Sequence, residues 1–160
     1  PDMVTVSKSI GGGLPMAILL LKPELDAWKP GEHTGTFRGQ GFSFVAGREA
    51  LSYFKDDTLM KDVRRKGEVM RERLEAIAKE HNGYHNIVRG RGMMQAFDLA
   101  DGDLAKSVTR ACFDNGLLLC PCGTGGQVIK LIPPLTIPDE DLNQGLDIFE
   151  KAVESVMVTA

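Results

Sequence analysis

Lys8 stands between two hydroxyl residues, Ser7 and Ser9, directly after the short β-rich run Met3 to Val6 and just before the glycines Gly11 to Gly13. A strand end followed by a flexible glycine run faces a cleft, and in open α/β sheets ligands bind beyond such strand ends. A lysine partly withdrawn from water at such a place gives up its proton more readily. Its amine is then a nucleophile able to condense with a carbonyl as a Schiff base. Taken alone, Lys8 reads more readily as an ordinary solvated lysine, because charged side chains mostly stay in water. The cysteines offer less. Cys112, Cys120 and Cys122 do not make a disulfide framework. Cys120-Pro121-Cys122 has the wrong spacing for a zinc half-site and no second pair completes one, so no metal site is expected and the thiols read as reduced.

The elements that must position Lys8 are short. Met3 to Val6 and Pro15 to Leu21 read as buried strands, and Pro23 fits the first position of a short helix through Trp28, stopped by Pro30-Gly31. Residues 31 to 41 have no period and read as a loop rich in hydrogen-bonding side chains. Phe42 to Phe54 has helical spacing. Asp57 or Thr58 caps a longer helix to about His81, with Leu59, Val63, Val69, Met70, Leu74, Ile77 and Ala78 inward and a charged outer face read as solvated. Asn82-Gly83 ends it. Beyond lie a strand over Gly90 to Leu99, a helix from Gly102-Asp103 to about Asn115-Gly116, strands over Leu117 to Cys120 and Val128 to Ile132, and a last amphipathic helix opened by Pro138-Asp139-Glu140. Residues 83–160 therefore read as a compact α/β layer. The first 55 residues hold two strands but too few layers to cover both faces of a parallel-type sheet.

The bulk numbers are those of an ordinary globular protein: 160 residues, 42% hydrophobic and 26% charged. A net charge of −3 and a pI near 5.6 argue against nucleic acid or an anionic membrane as the main partner. The longest apolar run, Met16 to Leu21, is far too short to span a bilayer. No basic segment followed by an apolar stretch marks a signal peptide. Because the chain opens Pro-Asp without an initiator Met, it is expected to be cut from something longer, and the reduced thiols fit the cytoplasm.

Val6-Ser7-Lys8-Ser9-Ile10-Gly11-Gly12-Gly13-Leu14-Pro15-Met16-Ala17 resembles the cofactor-lysine segment of the class III pyridoxal-phosphate-dependent aminotransferases, a family that includes ornithine, acetylornithine and 4-aminobutyrate transaminases. The resemblance implies an α/β, fold-type I transferase. Residues 1–56 would be the incomplete end of the large cofactor-binding domain, 57–82 a connecting helix and 83–160 the small C-terminal domain. Lys8 would anchor pyridoxal 5'-phosphate covalently and, once displaced by substrate, carry the proton between substrate and cofactor carbons. The stretch His33-Thr34-Gly35-Thr36-Phe37-Arg38-Gly39 is similar to the family loop whose threonine reaches the partner subunit's cofactor phosphate. That implies a homodimer with Thr36 and Gly35 at the phosphate, where a hydroxyl and loop N–H groups are suitable donors.

Arg89 to Met94 and Val128 to Thr136 resemble two strands of the small domain. Lys130 stands where many relatives carry an arginine that forks onto the substrate carboxylate, and a lysine offers a point charge without that fork. Arg38 and Arg91 are the alternative carboxylate contacts. The finer resemblance is to the family's diaminobutyrate–2-oxoglutarate branch of ectoine synthesis, carried by Lys22 to Asp26, Trp28 to His33, Gly35 to Gly39, Arg89 to Met93 and Asp101 to Ala105. It implies amino transfer between glutamate and aspartate 4-semialdehyde, small molecules on both sides. Other class III substrates (siderophore or diamine diaminobutyrate, ornithine, acetylornithine, 4-aminobutyrate) and a non-catalytic module stay open. The family's ring-holding residues lie upstream of the lysine, so this stretch alone is expected to bind the cofactor poorly.

Overall fold

The structure, a computed structural model, describes residues 1–36 and 38–157. Phe37, in the threonine loop, lies outside them. The chain forms two compact units, one ending at Thr58 and one beginning at Leu59. No helix among the described residues is long and apolar enough to cross a membrane.

In the first unit β1 (Met3–Ser7) pairs antiparallel with β2 (Ala17–Leu21), Met3 opposite Leu21 and Ser7 opposite Ala17. The strands fall where the sequence puts them, but they are neither parallel-type nor buried. Met3 is 60% and Leu20 55% exposed, because a two-stranded ribbon has no second layer within this unit. Pro23 does open a turn of helix, yet it is a 3₁₀ turn ending at Leu25. The expected continuation to Trp28 is absent, and the Trp28 ring stacks on His33 instead, centroids 4.6 Å apart. Among the described residues no regular element follows until α1 (Gly41–Ser52).

The second unit is a mixed α/β layer built on a four-stranded antiparallel sheet in the order β3-β4-β6-β5. The single strand expected from Gly90 to Leu99 is a hairpin. β3 (Ile87–Arg91) turns at Gly92, φ 54°, into β4 (Met94–Asp98). β6 (Val128–Leu131) follows prediction, while β5 (Cys120–Cys122) sits later than expected and forms the sheet's edge, Pro121 opposite Ile129. Three helices cover one face: α2 (Thr58–Glu80), α3 (Gly102–Asp114) and α4 (Asp139–Met157). Asp101 caps α3, its carboxylate accepting from the N–H groups of Asp103 and Leu104. At the start of α2 the Thr58 N–H is taken by Asp56, one residue before the caps the sequence offers, and the Thr58 hydroxyl, followed by this N–H, lowers the Asp56 pKa.

Phe97, Ile129 and Leu131 of the sheet, Met70, Leu74 and Ile77 of α2, and Leu146, Phe149 and Val153 of α4 share one core. Phe97 meets Phe149 edge to face, centroids 5.5 Å apart, the preferred aromatic geometry. The charged face of α2 is not simply solvated. Lys66 is buried, its Nζ 2.5 Å from Asp62 and donating to the Ile137 carbonyl at 2.6 Å. Arg65 bridges to Asp139, and Arg73 to Asp147 and Glu150, so α2 is tied to α4 and the loop before it. Arg71 reaches the hairpin, donating to the Gly90 carbonyl and to buried Gln95, whose own amide donates to Gly92 O.

The hairpin turn lies flat on α2. A β-carbon at Gly67 would stand 2.6–2.7 Å from three backbone atoms of Gly92. Alanine is the better helix former by about 1 kcal/mol, but here it must push backbone aside. Gly67→Ala is expected to lower the unfolding free energy by a net of about 1–3 kcal/mol, read as a fall in the urea midpoint. A raised midpoint would show that the turn yields freely.

Candidate functional site

Lys8 ends β1 and opens a 3₁₀ turn, Lys8–Gly11, closed by Gly12 at φ 59° with its N–H on the Ser9 carbonyl. Lys8 itself has φ 61°, one of two described non-glycine residues in that region. For a residue with a β-carbon this costs about 1–2 kcal/mol. The Ser7 hydroxyl donates to Met16 O at 3.2 Å, tying the two mouths of the turn together. The desolvation expected of Lys8 is not supplied by this unit. The residue is exposed, since only a ribbon and one helix surround it, and its amine has no hydrogen bond or ion pair with any described residue. A free amine on a constrained turn is available for condensation with an aldehyde.

Gly35 and Thr36 lie exposed in the loop before α1. Arg38 folds back over Gly35, where a β-carbon would come within 2.8 Å of its Cδ, and its guanidinium contacts His33 Nε2. Arg38 is therefore occupied within its own loop, which weakens it as a carboxylate contact. The Thr36 hydroxyl has no partner among the described residues and can meet a phosphate oxygen. Among the described residues no hydrogen bond joins this loop to Lys8.

The other two candidates sit in the second unit. Ala96 pairs with Arg89 on one side and Lys130 on the other, and Lys130 pairs with Cys120. Directly opposed residues share a face, so Arg89, Lys130 and Cys120 stand in one row on the face away from the core. Arg91, two residues from Arg89, joins them. Arg89 and Lys130 are two strand spacings apart, about 10 Å. Arg89, not singled out from the sequence, is neutralised by Asp98 at 2.9 Å. Only the sheet register could have revealed this pairing. Lys130 and Arg91 remain the uncompensated cations of the face among the described residues. Lys130 also borders a cleft of about 460 Å³ with walls from Leu117, Leu119, Ile132 and Leu146, and it is the only cation among the described residues that line it.

Comparison with known proteins follows the same lines. The sequence model of the aminotransferase class III family matches residues 1–153. A diaminobutyrate–2-oxoglutarate transaminase of Wolinella succinogenes is 45% identical over 98% of this chain and 37% of its own length. That of Halomonas elongata is 47% identical over 96% of the chain and 38% of its own length. The chain thus spans well under half of either enzyme. Among solved structures, the ornithine aminotransferase of Toxoplasma gondii superposes over all of this chain and 38% of its own, with a TM-score of 0.88 and 29% identity. A second structure of that enzyme, described as having partial occupancy of PLP at its active site, gives 0.85 at 29% identity over 98% of this chain and 37% of its own.

The three thiols differ in reach. Cys112 is fully buried in α3, and burial pushes its thiol up to about 11, whereas Cys120 is exposed on the edge strand. Because thiolate is the reacting form, iodoacetamide at pH 8 is expected to label Cys120 and spare Cys112 until the protein unfolds, as read by peptide mass spectrometry. The raised value also sets a pH trend. Stability owed to Cys112 is present below 9.0 and is lost as pH climbs to about 11, since the unfolded chain gives up that proton first. Comparable native labelling of both thiols would contradict this burial.

Proposed function

Because the chain belongs to the class III aminotransferase family, we propose that it serves a pyridoxal-phosphate-dependent transaminase. In this reading the enzyme moves an amino group between glutamate and L-aspartate 4-semialdehyde, giving 2-oxoglutarate and L-2,4-diaminobutyrate. The observation that carries the chemistry is the free amine of Lys8 on its constrained turn at the end of β1. The choice of substrates rests on similarity to diaminobutyrate–2-oxoglutarate transaminases along nearly the whole chain. A second reading, an ornithine-type substrate, is favoured by the likeness to the Toxoplasma enzyme at lower identity.

The residues present fit the cofactor at two points, both without a partner among the described residues: the amine of Lys8 for its aldehyde and the hydroxyl of Thr36, beside Gly35, for its phosphate. When bound, pyridoxal phosphate supplies the electron sink that lets a proton leave the substrate carbon. Lys8 Nζ holds the cofactor and, once freed, carries that proton. Thr36 Oγ1 serves the phosphate of a partner subunit, which makes the working enzyme a homodimer. Lys130, with Arg91 as the alternative, draws a substrate carboxylate as a point charge. Arg38 has a weaker claim, being held by His33. Residues 1–56 act as the end of the large domain, 57–82 as the connecting helix and 83–160 as the small domain, in a cytoplasmic protein.

In the full-length enzyme reconstituted with pyridoxal phosphate, Lys8→Ala is expected to abolish the visible absorbance of lysine-bound cofactor and the covalent adduct fixed by borohydride reduction. An adduct that survives the substitution sinks the assignment of Lys8. Thr36→Ala should weaken cofactor affinity about tenfold. Lys130→Met should raise KM for 2-oxoglutarate with little change in kcat, the mark of a group that holds ground and transition states alike. Turnover of ornithine in preference to aspartate semialdehyde would transfer the substrate assignment to the second reading.

A further inference from the structure

The described residues of the first unit that are buried are Ile10, Gly11, Ser43 and Gly47, and all four belong to one contact between α1 and the Lys8 turn. A β-carbon at Gly47 would come 2.3 Å from the Ile10 carbonyl oxygen, and one at Gly12 would come 2.6 Å from Ala46 O. One helical turn before Gly47, Ser43 is 1% exposed, its hydroxyl shared between Pro15 O at 3.2 Å and Gln40 Oε1 at 3.0 Å. Residues 43, 46 and 47 are neighbours on one helix face, and together they grip both ends of the segment from Ile10 to Pro15. Glycine is a poor choice inside a helix, and a buried serine adds little apolar area. Neither residue is there for the helix or for hydrophobic burial. What they supply is room for backbone to touch backbone, and a pin at the far end. A left-handed lysine persists only where its surroundings impose that conformation, and this contact is the element that does so.

We propose that Gly47 and Ser43 are positioning residues for Lys8, setting the turn against α1 so that the amine projects from the end of β1. The role rests on reading Lys8 as the cofactor-bearing lysine. Gly47→Ala and Ser43→Ala test it, with Arg48→Gly as a control that weakens α1 from its exposed side. Two quantities are read: the pH midpoint of the visible band of the Lys8-bound cofactor, and amide hydrogen exchange over residues 9–16 in cofactor-free protein, by mass spectrometry. Gly47→Ala is expected to move the midpoint by about one unit and speed exchange about tenfold. Ser43→Ala should move both the same way by less, and Arg48→Gly should lower only the thermal midpoint. A band unmoved by Gly47→Ala and Ser43→Ala, or moved equally by Arg48→Gly, overturns the positioning role while leaving Lys8 as the anchor. A parent protein with no band that Lys8→Ala removes overturns the reading of Lys8 and this role with it, and the exchange data then report a purely structural clamp.

Discussion

The edge-to-face contact of Phe97 with Phe149 pins the parity of the four-stranded sheet. Side chains alternate along a strand, so a slip of one residue would carry a whole row to the opposite face. With Phe97 held in the core, its partners Val88 and Ile129 face the helices, while Ala96, Arg89, Lys130 and Cys120 must face away. The cationic face is therefore a by-product of where two phenyl rings meet. Arg89 and Asp98 then cancel each other across it, leaving Lys130 and Arg91 to define its field.

The first unit is organised differently. Its ribbon leaves apolar residues such as Met3 and Leu20 in solvent, and α1 leaves Phe42 77% and Val45 72% exposed. What order it has comes from close backbone approach, which places small residues where a core would place large ones. The sequence states this only obliquely. Glycines at 11 to 13 read as flexibility after a strand, and Gly47 passes as an unremarked member of a helical pattern. Yet Gly12 and Gly47 are where the backbones of turn and helix meet.

Strong periodicity made most of the second unit legible. The stripes of α2 and α4 and the strand over Val128 to Leu131 fall where apolar spacing puts them. The misreadings share a cause: an apolar run says that residues are buried, not what they are buried against. Gly90 to Leu99 reads as one strand because Met93 and Met94 keep the run apolar across the turn. Leu117 to Leu119 reads as a strand, but those residues border the cleft, and pairing begins only at Cys120. Lys66 was hidden in a charged face because nothing in α2 announces that the Ile137 carbonyl lies above it. Of the candidate site, Lys8 draws attention by its strand end and glycine run, whereas Thr36 and Lys130 are reached only through the family resemblance. The Arg89–Asp98 pair depends on a register that no local pattern reveals.

Pro121 gives the sheet one more property. It occupies the middle of the three-residue edge strand and has no N–H to offer. Proline is tolerated at a rim because the missing donor there faces outward. A strand approaching this side meets a rim only three residues long with a gap at its centre. The opposite rim, β3, carries Arg91, whose uncompensated charge discourages a neighbour from docking edge to edge. The sheet is closed to lengthening at one border by covalent structure and at the other by charge. This sheet is thereby a poor template for the backbone of another copy of the chain.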